Sequence, residues 1–508
     1  MRFHPATMPS SPSDVEYARV ADEIYRSLKG TVLENDMPWV DIAEVALRLT
    51  AYLEDVVSEG GTWAGLVHIS RRLYGRDLPF FPEDDNTGTA EYIVNEVNLD
   101  DVRFLLWDSI QQENSQTLIN PQTTAITNLA GKIYEIMDAR FESMPINPLL
   151  RLALAPVEEL NVTEDETHRR YEAYLSLRKL LEWLLFDNYA FGDAQIMDDL
   201  LDEIEDMTAA DDYIDSDKLL YALCVNEVFT HPCRLFSMST WQVLAAITTA
   251  SGFGRDIAST IENIAYRPVQ KYRVIETDFK KSLMKVIGSD DRPLTIDTWS
   301  VKLPDKRTDD HTAITAGLVH VGTDEWYANG IVELSRETNN NDKPNEEAET
   351  ADFNTLFEKL GGKRHGFFKD LHEYFRSMVS DDVDPELASR REREFIADKD
   401  DTSPVLAYLL DDGSVILTTY FVSSLNAPEN PYYNHETSNG ELLGMLCNPD
   451  GEADMINYCI SQGWLRNASM TSTLGREHGH RLLQDNIDFI VRRWHNDPYF
   501  FTHTPSMT

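Results

Sequence analysis

From Val15 onward the apolar positions recur with a helical period. Tyr17, Val20, Ala21, Ile24, Tyr25 and Leu28 share one face, and Gly30 can end the helix. Pro38 stands where a first-turn proline is tolerated. Val40, Ile42, Val45, Leu49, Leu53 and Val56 then form a stripe that Gly60-Gly61 stops. Thr62 predicts the cap of a short helix reaching Leu73. The stretch Gly75–Gly88, with Pro79 and Pro82 flanking Phe80 and Phe81, predicts a loop with hydrophobic anchors. Asn98, with Asp101 three residues on, resembles a capping arrangement for a helix carrying Val102 to Ile110. Pro121 opens another helix, and Thr163 with Glu166 makes a capping box for one that runs to Phe186. Helical patterns recur over 195–207, 216–229 and 239–250, with no fixed repeat period.

Near Pro268 the period changes to alternation. Tyr272 and Val274, Leu283 to Ile287, Leu294 to Val301, Thr315 to Val321 and Trp326 to Val332 read as about five short strands separated by polar turns. That spacing predicts a compact barrel or curled sheet. Beyond it, RETNNNDKPNEEAETAD at 336–352 has the composition of a linker. Phe353–Met378 reads as amphipathic helix, 385–397 as a charged helix, and Val405–Leu410 with Ser414–Phe421 as a hairpin turning at Asp411-Asp412-Gly413. Helices follow near 439–447 and 452–462, and a last one runs from about Leu474 to Trp494.

The patterns predict an α+β chain, mostly α. It divides into a disordered lead over 1–14, a helical domain over 15–265, a small five-stranded β-barrel-like module over 266–335, the acidic linker over 336–352 and a C-terminal α/β domain over 353–508.

Charge changes this picture in one place. The 508 residues hold 45 Lys and Arg against 87 Asp and Glu, a formal charge of -42. Such a field repels phosphate backbones and anionic membrane surfaces, so nucleic acid is not expected as a partner of the whole chain, nor is a membrane. No apolar run approaches the ~20 residues of a membrane span, and the first residues lack the apolar core of a signal peptide. Four cysteines without ligand or bridge spacing point to a reducing cytoplasm and to thiols that pack as small hydrophobes. Between Tyr266 and Arg307, however, ten Lys or Arg face six carboxylates, a local balance of +4. Tyr272, Arg273, Lys281, Trp299, Trp326 and Tyr327 mark a candidate interaction surface there, with Phe279 also interleaved. The bland alternative has this module dock its basic face on the acidic helices, with its tryptophans buried.

Other motifs fall short of chemistry. The acidic run at 193–217 could start a calcium loop at Asp215 and Asp217, but Leu219, Leu220 and Asn226 break the pattern, which leaves a solvated helix face. Glu477, His478 and His480 form an EHxH cluster that Asp485 could extend. Residues two apart on a helix point about 200° from each other, which keeps both imidazoles from one zinc ion. His231 and Cys233 share a Pro-containing loop without an orienting group. GGKRHG at 361–366 lacks the phosphate-loop spacing and reads as a loop interrupting a helix. No catalytic, cofactor-binding or metal residue is assigned, and no cofactor is called for.

Residues 49–108 include LTAYLEDVVSEGGTW, RRLYGRDLPFF and NEVNLDDVRFLLWD, and LVHVGTDEWYANGI and REHGHRLLQDNIDFI follow later. In order and type these blocks resemble an uncharacterised bacterial family, a protein of unknown function known mainly from Bacteroidales-type genomes. The resemblance spans most of the chain. It implies a bacterial cytoplasmic protein and transfers no functional residue.

The leading expectation is a non-enzymatic protein-interaction or regulatory protein. Two alternatives stand beside it. One is a hydrolase whose site is assembled from scattered residues, with a metal at His478 and His480. The other is single-stranded nucleic-acid binding by the central module.

Overall fold

The computed structural model describes residues 12–81, 92–112, 118–148, 167–210, 215–301, 312–322, 325–336, 353–378, 403–436, 438–501 and 503. The linker after Arg336, the charged helix at 385–397 and the Thr163–Glu166 capping box lie outside them, as does the polar lead up to residue 11. The chain forms two compact units. One comprises Met1–Glu113, Pro121–Asn339 and Asn496–Phe501, the other Asn114–Asn120, Asn340–His495 and Thr502–Thr508.

In the first unit the helices are α1 (Pro12–Leu28), α2 (Val32–Asp36), α3 (Ile42–Ser58), α4 (Thr62–Tyr74), α5 (Leu99–Gln112), α6 (Thr124–Phe141), α7 (Thr167–Phe186), α8 (Gln195–Ala210), α9 (Ser216–Thr230), α10 (Thr240–Ala250) and α11 (Arg255–Glu262). Two-residue strands β1 (Pro232–Cys233) and β2 (Met238–Ser239) pair between α9 and α10. The stripe expected on α3 is buried at Val45, Leu49, Leu53 and Val56. Its cap is Asp41, whose carboxylate accepts from the Ala43 amide, so Pro38 precedes the helix instead of opening it. Thr62 is likewise the first helical residue and not a cap. The buried Asp55 carboxylate reaches across from α3 and accepts from the amides of Thr62 and Trp63, at 3.2 and 2.7 Å. Phe80 and Phe81 are buried as expected of anchors. Phe80 joins an edge-packed aromatic core, 4.9 Å from Trp107.

The alternating segment forms β3 (Ala265–Asp278), β4 (Leu283–Ile287), β5 (Pro293–Asp297), β6 (Thr312–His320) and β7 (Trp326–Arg336). Their order, β3-β4-β5-β7-β6, closes the sheet on itself, with one parallel bridge from Ile296 to Trp326 completing the ring. Tyr272, Val274, Met284, Val286, Ile296, Ile314 and Leu318 fill the interior. The third expected strand ends early: Asp297 terminates it, and Trp299 and Val301 belong to the one-turn helix α12 (Thr298–Val301).

This sheet packs on helices of its own unit through aromatic and amide groups. Tyr327 stacks on Tyr174 at 4.6 Å and 8°, and Tyr174 donates to Asn329 Oδ1 at 3.1 Å. Asn329 in turn donates to the Val225 carbonyl, and Tyr266 donates to Asn226. The expected docking of a basic face on acidic helices is therefore corrected. The ion pair Arg170–Glu325, at 3.3 Å, has its base on the helix and its acid beside the sheet. Lys271, Arg273, Lys280, Lys281, Lys285 and Arg292 are all exposed. Ammonium groups lose more on leaving water than a surface ion pair returns.

The second unit contains α13 (Phe353–Lys359), β8 (His365–Phe368), α14 (Leu371–Met378), β9 (Val405–Leu409), β10 (Val415–Thr418), α15 (Ser438–Leu446), α16 (Ala453–Ser461), α17 (Arg476–Gln484) and α18 (Ile487–His495). The hairpin β9–β10 forms as expected, and β8 adds a third strand in the order β10-β9-β8. The helix expected across 353–378 is thus two helices around a strand. Gly361 and Gly362 both take positive φ, 73° and 76°, which ends α13 and turns the chain into β8. The last helix is likewise split, with Asp485 as the C-terminal cap of α17.

The docking interface yields a contrast in stability. Tyr327→Ala should destabilise the folded chain by roughly 3–5 kcal/mol, because the ring is buried against Tyr174. Trp299→Ala, at a ring 45% exposed, should change stability by about 1 kcal/mol or less. Denaturant titration of both variants checks this; equal losses would place Trp299 in the core.

Candidate functional site

The six residues of the expected surface separate into two groups. Tyr272 lies inside the closed sheet, because it shares the inward parity of Val274, and its hydroxyl accepts from Gln270. Tyr327 lies under Tyr174. Both are buried, so neither belongs to an exposed surface. Trp326 is half-buried beneath the Arg267 guanidinium, 5.3 Å from its ring, and beside His320. Arg273, Lys281 and Trp299 are exposed.

Backbone geometry brings Lys281 and Trp299 to the same end of the sheet. The β3–β4 turn runs from Phe279 to Ser282, and the Thr298 amide donates to the Ser282 carbonyl at 2.9 Å. Trp299, next in the chain, therefore flanks a turn that carries Phe279, 53% exposed, and the exposed Lys280 and Lys281. The Asp297 carboxylate accepts from the Trp299 amide at 2.7 Å and fixes the start of α12. Burial raises Asp297 to about 6. Val269, Ile275 and Ile331 are further exposed aliphatics on the sheet. Their signal in the sequence was an apolar residue at an outward strand position.

The helical unit also holds a buried polar centre that the sequence reading missed. Asp108, with no exposed side-chain surface, accepts from Arg234 Nη1 at 2.7 Å and from Arg48 Nη2. Arg48 also donates from Nε to the Tyr189 carbonyl and from Nη1 to Ser109 Oγ, at 2.6 and 2.9 Å. Tyr189 donates to Asp55 at 2.9 Å. Nearby, Asp101 accepts from the hydroxyls of Tyr52 and Tyr92, at 2.7 and 2.8 Å, and from the Asn98 amide group. Asn98 is thus a donor to Asp101 rather than half of a capping box. Burial lifts Asp101 to about 7, although these hydrogen bonds oppose the shift. The overlooked signal was charge inside an apolar stripe: Arg48, Tyr52 and Asp55 fall at i, i+4 and i+7 of α3.

The remaining motifs resolve into local structure. Asp215 caps α9 through the Lys218 amide. Cys233 is fully buried, and burial pushes its thiol well up, against nucleophilic use. His478 bonds Ser472 Oγ and His480 bonds the Ala468 carbonyl, so the two imidazoles serve different partners. Gly479 between them is required by close approach, since a Cβ there would sit 2.0 Å from the Met470 oxygen. Among the described residues no group of three or more His, Cys, Asp or Glu could hold a metal ion. The GGKRHG segment turns into β8, whose first residues are His365 and Gly366. His365 bridges Tyr458 Oη and Glu429 Oε1, each at 2.9 Å, and Lys363 pairs with the same carboxylate. The Lys363 ammonium holds Glu429 down at about 2, while burial lowers His365. Among the described residues no helix is long and apolar enough to cross a membrane.

A family model described as Protein of unknown function (DUF3843) matches residues 1–262 and 284–495. The stretch between the two matched blocks holds β3 and the turn with Phe279 and Lys281. No curated protein and no solved structure matches the chain.

Two outcomes follow from the buried centre. Asp108→Ala leaves two guanidinium groups buried without their shared carboxylate and should cost about 3–5 kcal/mol in denaturant titration. A loss below about 1 kcal/mol would show Asp108 to be dispensable. Asp101 binds its proton more tightly folded, at about 7, than an unfolded Asp, at about 3.9. Its stabilising contribution is therefore complete below about pH 4 and lost as pH rises through about 7. Across that window the parent should lose stability relative to Asp101→Asn; a difference independent of pH would show that Asp101 titrates at its ordinary value.

Proposed function

This chain belongs to the DUF3843 family of proteins of unknown function, and from that premise we propose that it is a non-enzymatic protein-interaction protein. Its binding face is the turn end of the closed five-stranded sheet. The observation that carries this reading is the exposed pair Phe279 and Trp299, set beside Lys280 and Lys281 by the Thr298–Ser282 backbone bond. Large aromatic side chains supply most of the energy at protein interfaces. The lysines give the face a charge opposite to that of the whole molecule. A partner segment carrying apolar side chains between a few carboxylates matches this face, and steering by the lysines favours its approach. A polyphosphate strand would meet the field of a whole molecule at a net -42.

The test uses the full chain and a double variant, Phe279→Ala with Trp299→Ala, as baits in a native lysate after nuclease treatment. Protein partners retained by the parent should be lost from the variant, with thermal unfolding of the two baits within a few degrees. Retention by both would place the binding face elsewhere. Capture that disappears on nuclease treatment, together with salt-dependent binding of single-stranded oligonucleotides by the parent, would replace this reading with nucleic-acid binding.

A further inference from the structure

The second unit contains a cavity of about 490 Å³, lined from two places. One is the open end of the β9–β10 hairpin, where Pro404 precedes β9 and Tyr420 and Phe421 follow β10. The other is α15, where Glu441 and Gly444, three residues apart, share a face. These groups open on the cavity with accessible surface of their own. Tyr420 is 77% exposed, Glu441 is exposed, and Pro404 and Phe421 are half-buried. Gly444 is exposed as well, and a Cβ added there would meet nothing within 4 Å, so α15 borders the cavity with bare backbone at that point.

Among the described residues that line the cavity, Glu441 alone is charged. Its Oε2 accepts from Ser423 Oγ at 3.0 Å and from Ser424 Oγ, which fixes the orientation of the carboxylate. Both partners are neutral hydroxyls, and Oε1 accepts no hydrogen bond among the described residues. Half of the acceptor capacity and the whole charge are thus left for another group. The Tyr420 ring and hydroxyl make no contact with another ring or polar group among the described residues. Phe421 takes φ 50° and ψ 1°, in the left-handed region. Glycine or asparagine turns the chain there at little cost, whereas a bulky side chain does so against steric repulsion. Strain of this kind gathers at binding sites, and here it holds a second aromatic ring at the cavity beside Tyr420.

We infer that this cavity binds a free arylalkylamine, a single primary ammonium group carried on an aromatic body. The ammonium group donates to Glu441 Oε1, and the rings of Tyr420 and Phe421 take the aromatic body and add cation–π attraction. The bare backbone at Gly444 leaves room for that body. An anion is repelled by Glu441. A polyamine brings further charges that find no second carboxylate among the described lining residues. The size agrees, because pockets for drug-sized ligands run from roughly 300 to 1,000 Å³, too large for a bare ammonium ion.

Isothermal titration of the full chain with phenethylamine, tyramine and tryptamine tests the assignment, at about 0.15 M salt to screen the general field of the molecule. Titrant at about 10 mM detects dissociation constants near 1 mM. At least one of the three should bind saturably at one site. It should bind more tightly than ethylamine, which lacks the body, 2-phenylethanol, which lacks the charge, and phenylacetate, which reverses it. Glu441→Gln keeps an oxygen acceptor for the two serines and removes one charge of 87 acidic residues, so a loss of affinity of at least about tenfold reports this site and not the general field. Tyr420→Ala should weaken binding roughly two- to fivefold, with thermal unfolding of the unliganded chain unchanged. Gly444→Leu improves helix propensity and fills the open space, so it should abolish binding without lowering the unfolding temperature. Should Glu441→Gln not fold, the other two variants decide. No saturable binding by any of the three amines would overturn the assignment. So would equal binding of ethylamine or 2-phenylethanol, or affinity unchanged in Glu441→Gln, or, where that variant does not fold, in both Tyr420→Ala and Gly444→Leu.

Discussion

The Asp108 carboxylate, removed from water and shared by Arg48 and Arg234, is the interaction around which the helical unit is arranged. A lone buried carboxylate would protonate or draw in water; two guanidinium groups keep it charged where it is. Each arginine carries the tie further. Arg48, from α3, donates to the Tyr189 carbonyl, and Arg234, between β1 and β2, donates to the carbonyls of Ala190 and Gly192. Three elements and one loop are thereby joined by charge-assisted bonds. Asp55 and Asp101 extend the same logic: each buried carboxylate collects tyrosine hydroxyls or backbone amides in place of water.

The closed sheet depends on that unit in a different way. It presents Tyr327 and Asn329 to α7 and α9, so docking rests on ring stacking and amide bonds instead of charge. This leaves Lys271, Arg273, Lys280, Lys281, Lys285 and Arg292 exposed, and Phe279 and Trp299 are exposed as well. A small sheet with a thin core is stabilised by leaning on helices with one side.

In the second unit a histidine takes the role that carboxylates take in the first. His365 bridges Tyr458 and Glu429, and Trp464 packs edge-on against its ring at 4.8 Å. The imidazole accepts at one nitrogen and donates at the other, so a single side chain ties β8 both to α16 and to the loop of Glu429.

Periodicity alone determined most of the helices, the five alternating strands and the β9–β10 hairpin, because burial of one face imposes 3.6 or 2 on the chain whatever the partner is. Block order alone also placed the chain in its family. Local pattern could not determine where the module's aromatics lie: Tyr272 and Trp299 look alike in sequence, but closure of the sheet buries Tyr272 on β3, whereas Trp299 falls in the one-turn helix α12 beyond the end of β5 and is exposed. Nor could it show β8, whose four residues lack the length to display a period and are held as strand by β9. The Arg48–Asp108–Arg234 centre was least legible of all, although Arg48 stood visibly within an apolar stripe. Its members lie 60 and 126 residues apart, and a charge in a helix looks like a solvated one until tertiary packing removes the water around it.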